Sequence, residues 1–241
     1  MRRINRKLVT KMSKNKEKNQ AQETTFENVE QALSRTEYFI EKNQKIITTI
    51  AVVAAVLVLA FLGYRKYIVQ PKVKEAQEMI FPAQQYFERD SFNLALNGDG
   101  NNLGFLDIID EYSITPSGNL ANYYAGISYL NLGQYEKAID YLKSYSADDI
   151  MTSIMAKGAI GDAYIQMGNI EKGISAYLEA ANFNINNFTT PLFIMKAAQM
   201  YFTEGQFAKA LELYKRIEKE FTESNEYRSI EKYISRAEAL L

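Results

Sequence analysis

The 241-residue chain contains no cysteine and no histidine. Without cysteine there is no disulfide framework, no thiolate nucleophile, no zinc-ribbon spacing and no lipoprotein-type acylation site. Without histidine the chain lacks the side chain that titrates nearest neutral pH and is the commonest metal ligand. Ser-His-Asp and His-Glu-x-x-His chemistries are thereby excluded. Neither a G-x-x-x-x-G-K-[ST] nor a G-x-G-x-x-G phosphate loop occurs anywhere. The expectation is a protein that is not an enzyme and holds no metal or cofactor.

What charge there is lies unevenly. Residues 1–45 hold 11 Lys/Arg against 6 Asp/Glu, residues 65–241 hold 17 against 23, and residues 46–64 hold none. A basic head and an acidic body on either side of an uncharged stretch predict compartments on two sides of a barrier. The acidic body argues against nucleic acid, which attracts clustered Lys and Arg. No small-molecule substrate is indicated.

The uncharged stretch, "IITTIAVVAAVLVLAFLGY", runs from Ile46 to Tyr64 and is bounded by Lys45 and Arg65. As a helix its 19 residues span roughly 28 Å, close to the ~30 Å of a bilayer's hydrocarbon. We read residues 46–64 as a single transmembrane helix in contact with lipid. A cleaved signal peptide fits poorly, because 45 residues precede the segment. The basic head places the N-terminus in the cytoplasm by the positive-inside rule. Arg65, Lys66, Lys72 and Lys74 pull the other way, and "MSKNKEKNQ" from Met12 reads as an alternative start with fewer basic residues. Residues 1–23 are polar and expected to be disordered. Residues 24–45 read as a juxtamembrane amphipathic helix: Thr24 and Glu27 resemble a capping box, followed by Phe26, Val29, Leu33 and Ile40 at helical spacing.

Beyond the membrane segment the text repeats itself. Gly133 recurs as Gly168 and Gly205, and Tyr129 recurs as Tyr164 and Tyr201 at the same intervals of 35 and 37 residues. In phase with them run Gly126, Gly161 and Ala198; Ala138, Gly173 and Ala210; and Leu142, Tyr177 and Tyr214. Small side chains let two helices approach closely, while a bulky one fills the space beside them. One such hairpin cannot cover its own apolar face, so neighbours must stack. The phrases "AGISYLNLGQYEKAIDYL", "IGDAYIQMGNIEKGISAYLEAA" and "AAQMYFTEGQFAKALELYKRI" resemble the tetratricopeptide repeat, a unit of about 34 residues. That family's early Trp is replaced here by Asn122, Lys157 and Ile194.

The expected fold is therefore all-α: a single N-terminal transmembrane helix, then a tetratricopeptide-repeat α-solenoid with a C-terminal closing helix. Residues 65–112 read as a degenerate first repeat, in which 73–96 form one helix and "NGDGNN" an inserted loop. Residues 119–223 hold three repeats, and 224–241 the closing helix. The loop superficially resembles a calcium site, but Asn102 and Ile108 stand where an EF-hand requires Gly and Glu. Asp107, Asp110 and Glu111 describe the solvated face of a short helix rather than an acid/base pair.

By the family's geometry, the first helix of each hairpin lines an inner groove. Mapping the repeats gives Leu120, Tyr123, Ile127 and Leu130; then Met155, Gly158, Asp162 and Ile165; then Leu192, Met195, Gln199 and Phe202. An apolar groove bearing Met and Tyr suits extended hydrophobic polypeptide, with packing inside the chain as the alternative. The lysines of the family's peptide-carboxylate clamps are missing.

The order of parts is similar to that of the YfgM-like ancillary subunits of the bacterial Sec translocon. That resemblance implies a single-pass protein of the bacterial inner (cytoplasmic) membrane, with its repeat domain in the periplasm. The implied partners are translocon subunits, periplasmic chaperones or nascent secreted chains. A membrane-tethered scaffold for another envelope complex is the alternative.

Overall fold

The computed structural model describes residues 41–146 and 149–241, and every regular element among them is helical. The readings of 1–23 as a disordered head, and of an amphipathic helix starting at Thr24, fall on residues 1–40, outside the described ones. The chain forms two compact units, 1–64 and 65–241.

The described part of the first unit is helix α1, residues 41–64. From Ile46 to Leu62 its large apolar side chains are exposed on every side, with no core to cover them. Thr48 and Thr49 turn their hydroxyls inward, each donating to the carbonyl four residues back at 2.7 Å. The polar atoms of this segment are thus satisfied within the helix, as a lipid environment requires. The helical stretch Glu41–Glu88, with its apolar run in the first half, is the one among the described residues long and apolar enough to cross a membrane.

The second unit opens with a π-helical turn, Arg65–Val69, before α2, Gln70–Glu88. Pro71 explains the irregularity. It has no N–H for the carbonyl four residues back, and its ring presses on that carbonyl, so the preceding turn widens. The reading of 73–96 as one helix is corrected here. Helix α2 ends at Glu88, Asp90 adopts φ 55°, and a six-residue helix α3, Phe92–Asn97, follows. Ser91 donates its N–H to the Tyr86 carbonyl at 2.9 Å, which turns the chain sharply. After a loop, α4 spans Phe105–Tyr112. Phe87 makes edge contacts with Phe92, Phe105 and Tyr124, and Phe105 stacks on Tyr124 at 5.1 Å.

Three hairpins follow: α5 (Pro116–Asn131) with α6 (Tyr135–Ser144), α7 (Ile150–Gln166) with α8 (Ile170–Phe183), and α9 (Thr189–Thr203) with α10 (Phe207–Glu220). Helix α11, Tyr227–Glu238, packs on α10 and covers the last apolar face with Ile230, Ile234 and Ala237. Their turns are built alike. Gly133, Gly168 and Gly205 sit at φ 72°, 75° and 72°, where a Cβ would be strained. The N–H after each glycine returns to the Tyr129, Tyr164 or Tyr201 carbonyl at 2.8–2.9 Å. The glycine N–H bonds to the next carbonyl, which completes a Schellman cap at every turn.

Beyond the turns the helices approach closely. A Cβ on Gly161 would lie 2.6 Å from the Tyr177 ring, and one on Gly126 would lie 2.5 Å from Leu142 Cγ. Ala138, Gly173 and Ala210 are all buried, and each donates its N–H to the carbonyl of the residue just before its helix, Gln134, Asn169 or Gln206. The small and bulky columns of the sequence therefore occupy equivalent places in successive hairpins.

Candidate binding surface

The groove residues of the first hairpin come together. Leu120, Tyr123, Ile127 and Leu130 line one side of α5 and pack, half-buried, against Leu142, Tyr145, Ala156 and Ala159 of α6, its following loop and α7. Burial pushes the Tyr123 hydroxyl above the usual tyrosine range, so it remains a neutral donor. In the second hairpin Met155 is the open one, 37% exposed. Ile165 is half-buried and packs over Gly173, in the space that glycine leaves.

Two neighbours are occupied within the fold. Gly158 lies beneath the Phe193 ring, so a side chain there would collide with α9. Asp162 accepts the Tyr177 hydroxyl at 2.5 Å and the Lys196 ammonium at 2.7 Å. Burial, and then the Asp162 carboxylate, hold the Tyr177 hydroxyl far above its ordinary pKa, and it stays protonated.

The third hairpin departs furthest from the reading. Met195 is only 8% exposed and belongs to the core, which corrects its assignment to the groove. Leu192 packs half-buried on the same core. Gln199 and Phe202 border a cavity of about 550 Å³ whose walls include Phe207 and Tyr214, then Tyr233 and Arg236 of α11, and Leu240 just after it. The Arg236 guanidinium lies 4.9 Å over the Phe202 ring. The closing helix thus takes up part of what the repeat pattern alone leaves open.

A second concavity lies on the opposite side of α7. At 100° per residue, Lys157, Ile160 and Tyr164 point away from Met155, Asp162 and Ile165. With α6 and α8 they enclose about 500 Å³. The Tyr164 ring has Lys143 and Lys172 at 5.9 and 5.5 Å, and Lys157 pairs with Glu179 at 2.5 Å. Three lysines around one carboxylate make a basic cleft in an acidic domain. The sequence reading missed it, although Lys157 in the family's Trp position was its visible trace. No group of acidic residues among the described ones could hold a metal ion, and Asp99 spends its carboxylate on Tyr86, Asn101 and Asn102.

Sequence profiles described as tetratricopeptide repeat match residues 120–148 and 156–184, which are the first two hairpins. The chain carries tetratricopeptide repeats. The fold is shared with two solved structures of nearly identical TPR-like repeats, attributed to a kinesin light chain of Podosopora anserina, one of them a point variant of the other. Each is 12% identical, covers 69% of this chain and 86% of its own, and superposes with a TM-score of 0.50. At that identity the likeness is one of fold. No curated protein matches the chain. Tetratricopeptide repeats form protein-interaction scaffolds, and nothing in these matches is catalytic.

Proposed function

We propose that the chain is a single-pass inner-membrane protein whose periplasmic tetratricopeptide domain receives polypeptides or chaperones at a Sec-type translocon. The observation that carries the reading is an apolar helix, uncovered over its whole length, placed directly before a repeat array. The basic head before it supports an N-terminus in the cytoplasm. The half-buried apolar side of α5, continued by exposed Met155, offers extended polypeptide a surface that needs little charge. A membrane tether raises the effective concentration of the array at a membrane-embedded partner, so a weak interface suffices.

The test is partner capture from cells. A photo-crosslinking amino acid at Met155, with a control at Lys172 on the other side of the array, is followed by purification in mild detergent and mass spectrometry. Recovery of translocon subunits, chaperones or secretory chains from Met155 alone supports the reading. Reproducible recovery of a different envelope complex replaces it with a scaffold role there.

A further inference from the structure

We propose that one edge of the repeat array, the edge formed by the loops between hairpins, rests on the surface of the bilayer into which α1 inserts. The inference builds on the membrane reading of α1.

The two edges of the array differ in how many loops carry exposed apolar residues. The turns within hairpins, at Gly133, Gly168 and Gly205, expose one large apolar residue, Met167, and the tail after α11 adds Leu240 and Leu241 beside the last of them. The loops between hairpins and the helix ends that border them expose Ile114, Ile150, Met151, Phe183, Ile185, Phe188 and Tyr227. Ile185 and Phe188 are each 65% exposed, 50% for Phe183. Single exposed apolar side chains call for no explanation, but a row of them does.

Polar contacts tie the successive loops of this edge together. Asn119 exchanges two hydrogen bonds with the backbone of Ser146, at 2.6 and 3.0 Å, which joins the start of α5 to the next loop. The Lys157 ammonium lies 5.0 Å over the Phe183 ring, and Asn187 donates to Glu223 at 3.4 Å. At the near end Lys72, in the first turn of α2, donates to the Glu111 carbonyl at 3.1 Å, beside Ile114. The edge with the apolar row is thus the edge to which the start of α2 is bonded.

Chain connectivity identifies the occupant. Lys72 is eight residues beyond Tyr64, the last residue of the uncharged stretch. Eight residues reach about 12 Å as a helix and at most about 29 Å fully extended. Covalent linkage therefore holds the start of α2, and with it the Glu111 end of this edge, within that reach of the membrane segment. Its most exposed loop is also suited to an interface: residues 180–195 carry no charge, and Asn182, Asn184, Asn186 and Asn187 surround the aromatic and aliphatic side chains. Phenylalanine and isoleucine there enter the acyl boundary while the amides meet headgroups. Glu111, Asp149, Glu223 and Glu226 lie along the same loops, so the attraction is apolar and zwitterionic lipid is the fitting partner.

The absence of native cysteine makes the test direct. Full-length protein carrying one bimane-labelled cysteine is reconstituted into phosphatidylcholine vesicles containing spin-labelled lipid. Asn187→Cys reports the edge, Met167→Cys the opposite edge, and Val56→Cys the anchor. The expected result is a blue shift and loss of emission at position 187, unchanged by salt and absent at 167. Adding Phe188→Ser and Ile185→Ser should return position 187 to the behaviour of 167. If position 56 is quenched while 187 matches 167, the edge proposal is overturned and the anchor stands. If position 56 is not quenched, the anchor reading falls and takes this one with it. Shielding at 187 that grows with protein density and not with lipid would mean a second copy occupies the edge, and would likewise overturn the proposal.

Discussion

The α2–α4 unit and the three hairpins after it hold their helices together by different means. In the hairpins, contact comes from what is missing: Gly126, Gly161 and Gly173 have no side chain, and Leu142, Tyr177 and Ile165 fill the space. The α2–α4 unit also buries small residues, Ala76, Ala83 and Ala95, but it relies on rings as well. There Phe87 and Phe105, on helices broken at Asp90 and separated by a long loop, interlock with Tyr124 of α5. A strict repeat can space its backbones with glycine because both partners recur in register. A terminal unit, with a neighbour on one side only, fills an irregular gap with rings.

The contrast predicts that removing volume hurts α2–α4 and adding it hurts the hairpins. Phe105 is fully buried at the centre of the aromatic cluster. Phe105→Ala should cost about 3–5 kcal/mol by urea denaturation of the full-length protein. Hydrogen exchange should rise first in 70–131. Gly161→Val is the reciprocal change, since its Cβ would lie 2.6 Å from the buried Tyr177 ring. About 1–3 kcal/mol should be lost, with exchange rising in α7 and α8. If the two variants loosened the same residues equally, the two regions would not be held by different devices.

The turns offer a finer comparison. Gly133, Gly168 and Gly205 share one backbone geometry. Each Gly→Ala change should cost about 1–2 kcal/mol, the penalty of a Cβ in the left-handed region. The three values should agree among themselves, because only Gly133 has a neighbour within 4 Å of the added Cβ, the Tyr135 hydroxyl at 3.8 Å. A wide spread would mean that the turns differ in strain despite their common geometry.

These columns were legible in the sequence because each has a local backbone reason that a fixed spacing displays. The same holds for α1, whose uncharged length alone marks it. What spacing could not show was which half-apolar faces the rest of the chain covers. Met195 and Phe202 stand in register with Tyr123 and Leu130, yet one is in the core and the other lies under Arg236 of α11. Nor did composition announce the break at Asp90, where the helical spacing of apolar residues continues across Arg89–Ser91. The basic cleft was hidden for another reason. Lys143, Lys157 and Lys172 lie on three helices, and only folding brings them around Tyr164.

The smallest effect concerns the loop between α3 and α4. Asp99 accepts the Tyr86 hydroxyl at 2.7 Å and the Asn101 and Asn102 N–H groups at 2.9 and 2.7 Å, and so pins 98–104 against α2. The Tyr86 hydroxyl first, and then the backbone donors, hold its carboxyl well below the usual carboxylate range. A folded pKa below the unfolded value near 3.9 stabilises the loop fully above that value, and the stabilisation fades as pH falls through the folded one. Amide exchange at Asn101 and Asn102, corrected for its intrinsic pH dependence, should therefore lose protection in acid before the hairpins do. Asp99→Asn keeps an oxygen acceptor but no charge, so it should reduce protection already at neutral pH and flatten its acid dependence. The Schellman turns use backbone carbonyls alone and should show no such step. An equal acid response at Gly133 and Asn102 would mean that the whole array titrates together, and that this loop is no separate device.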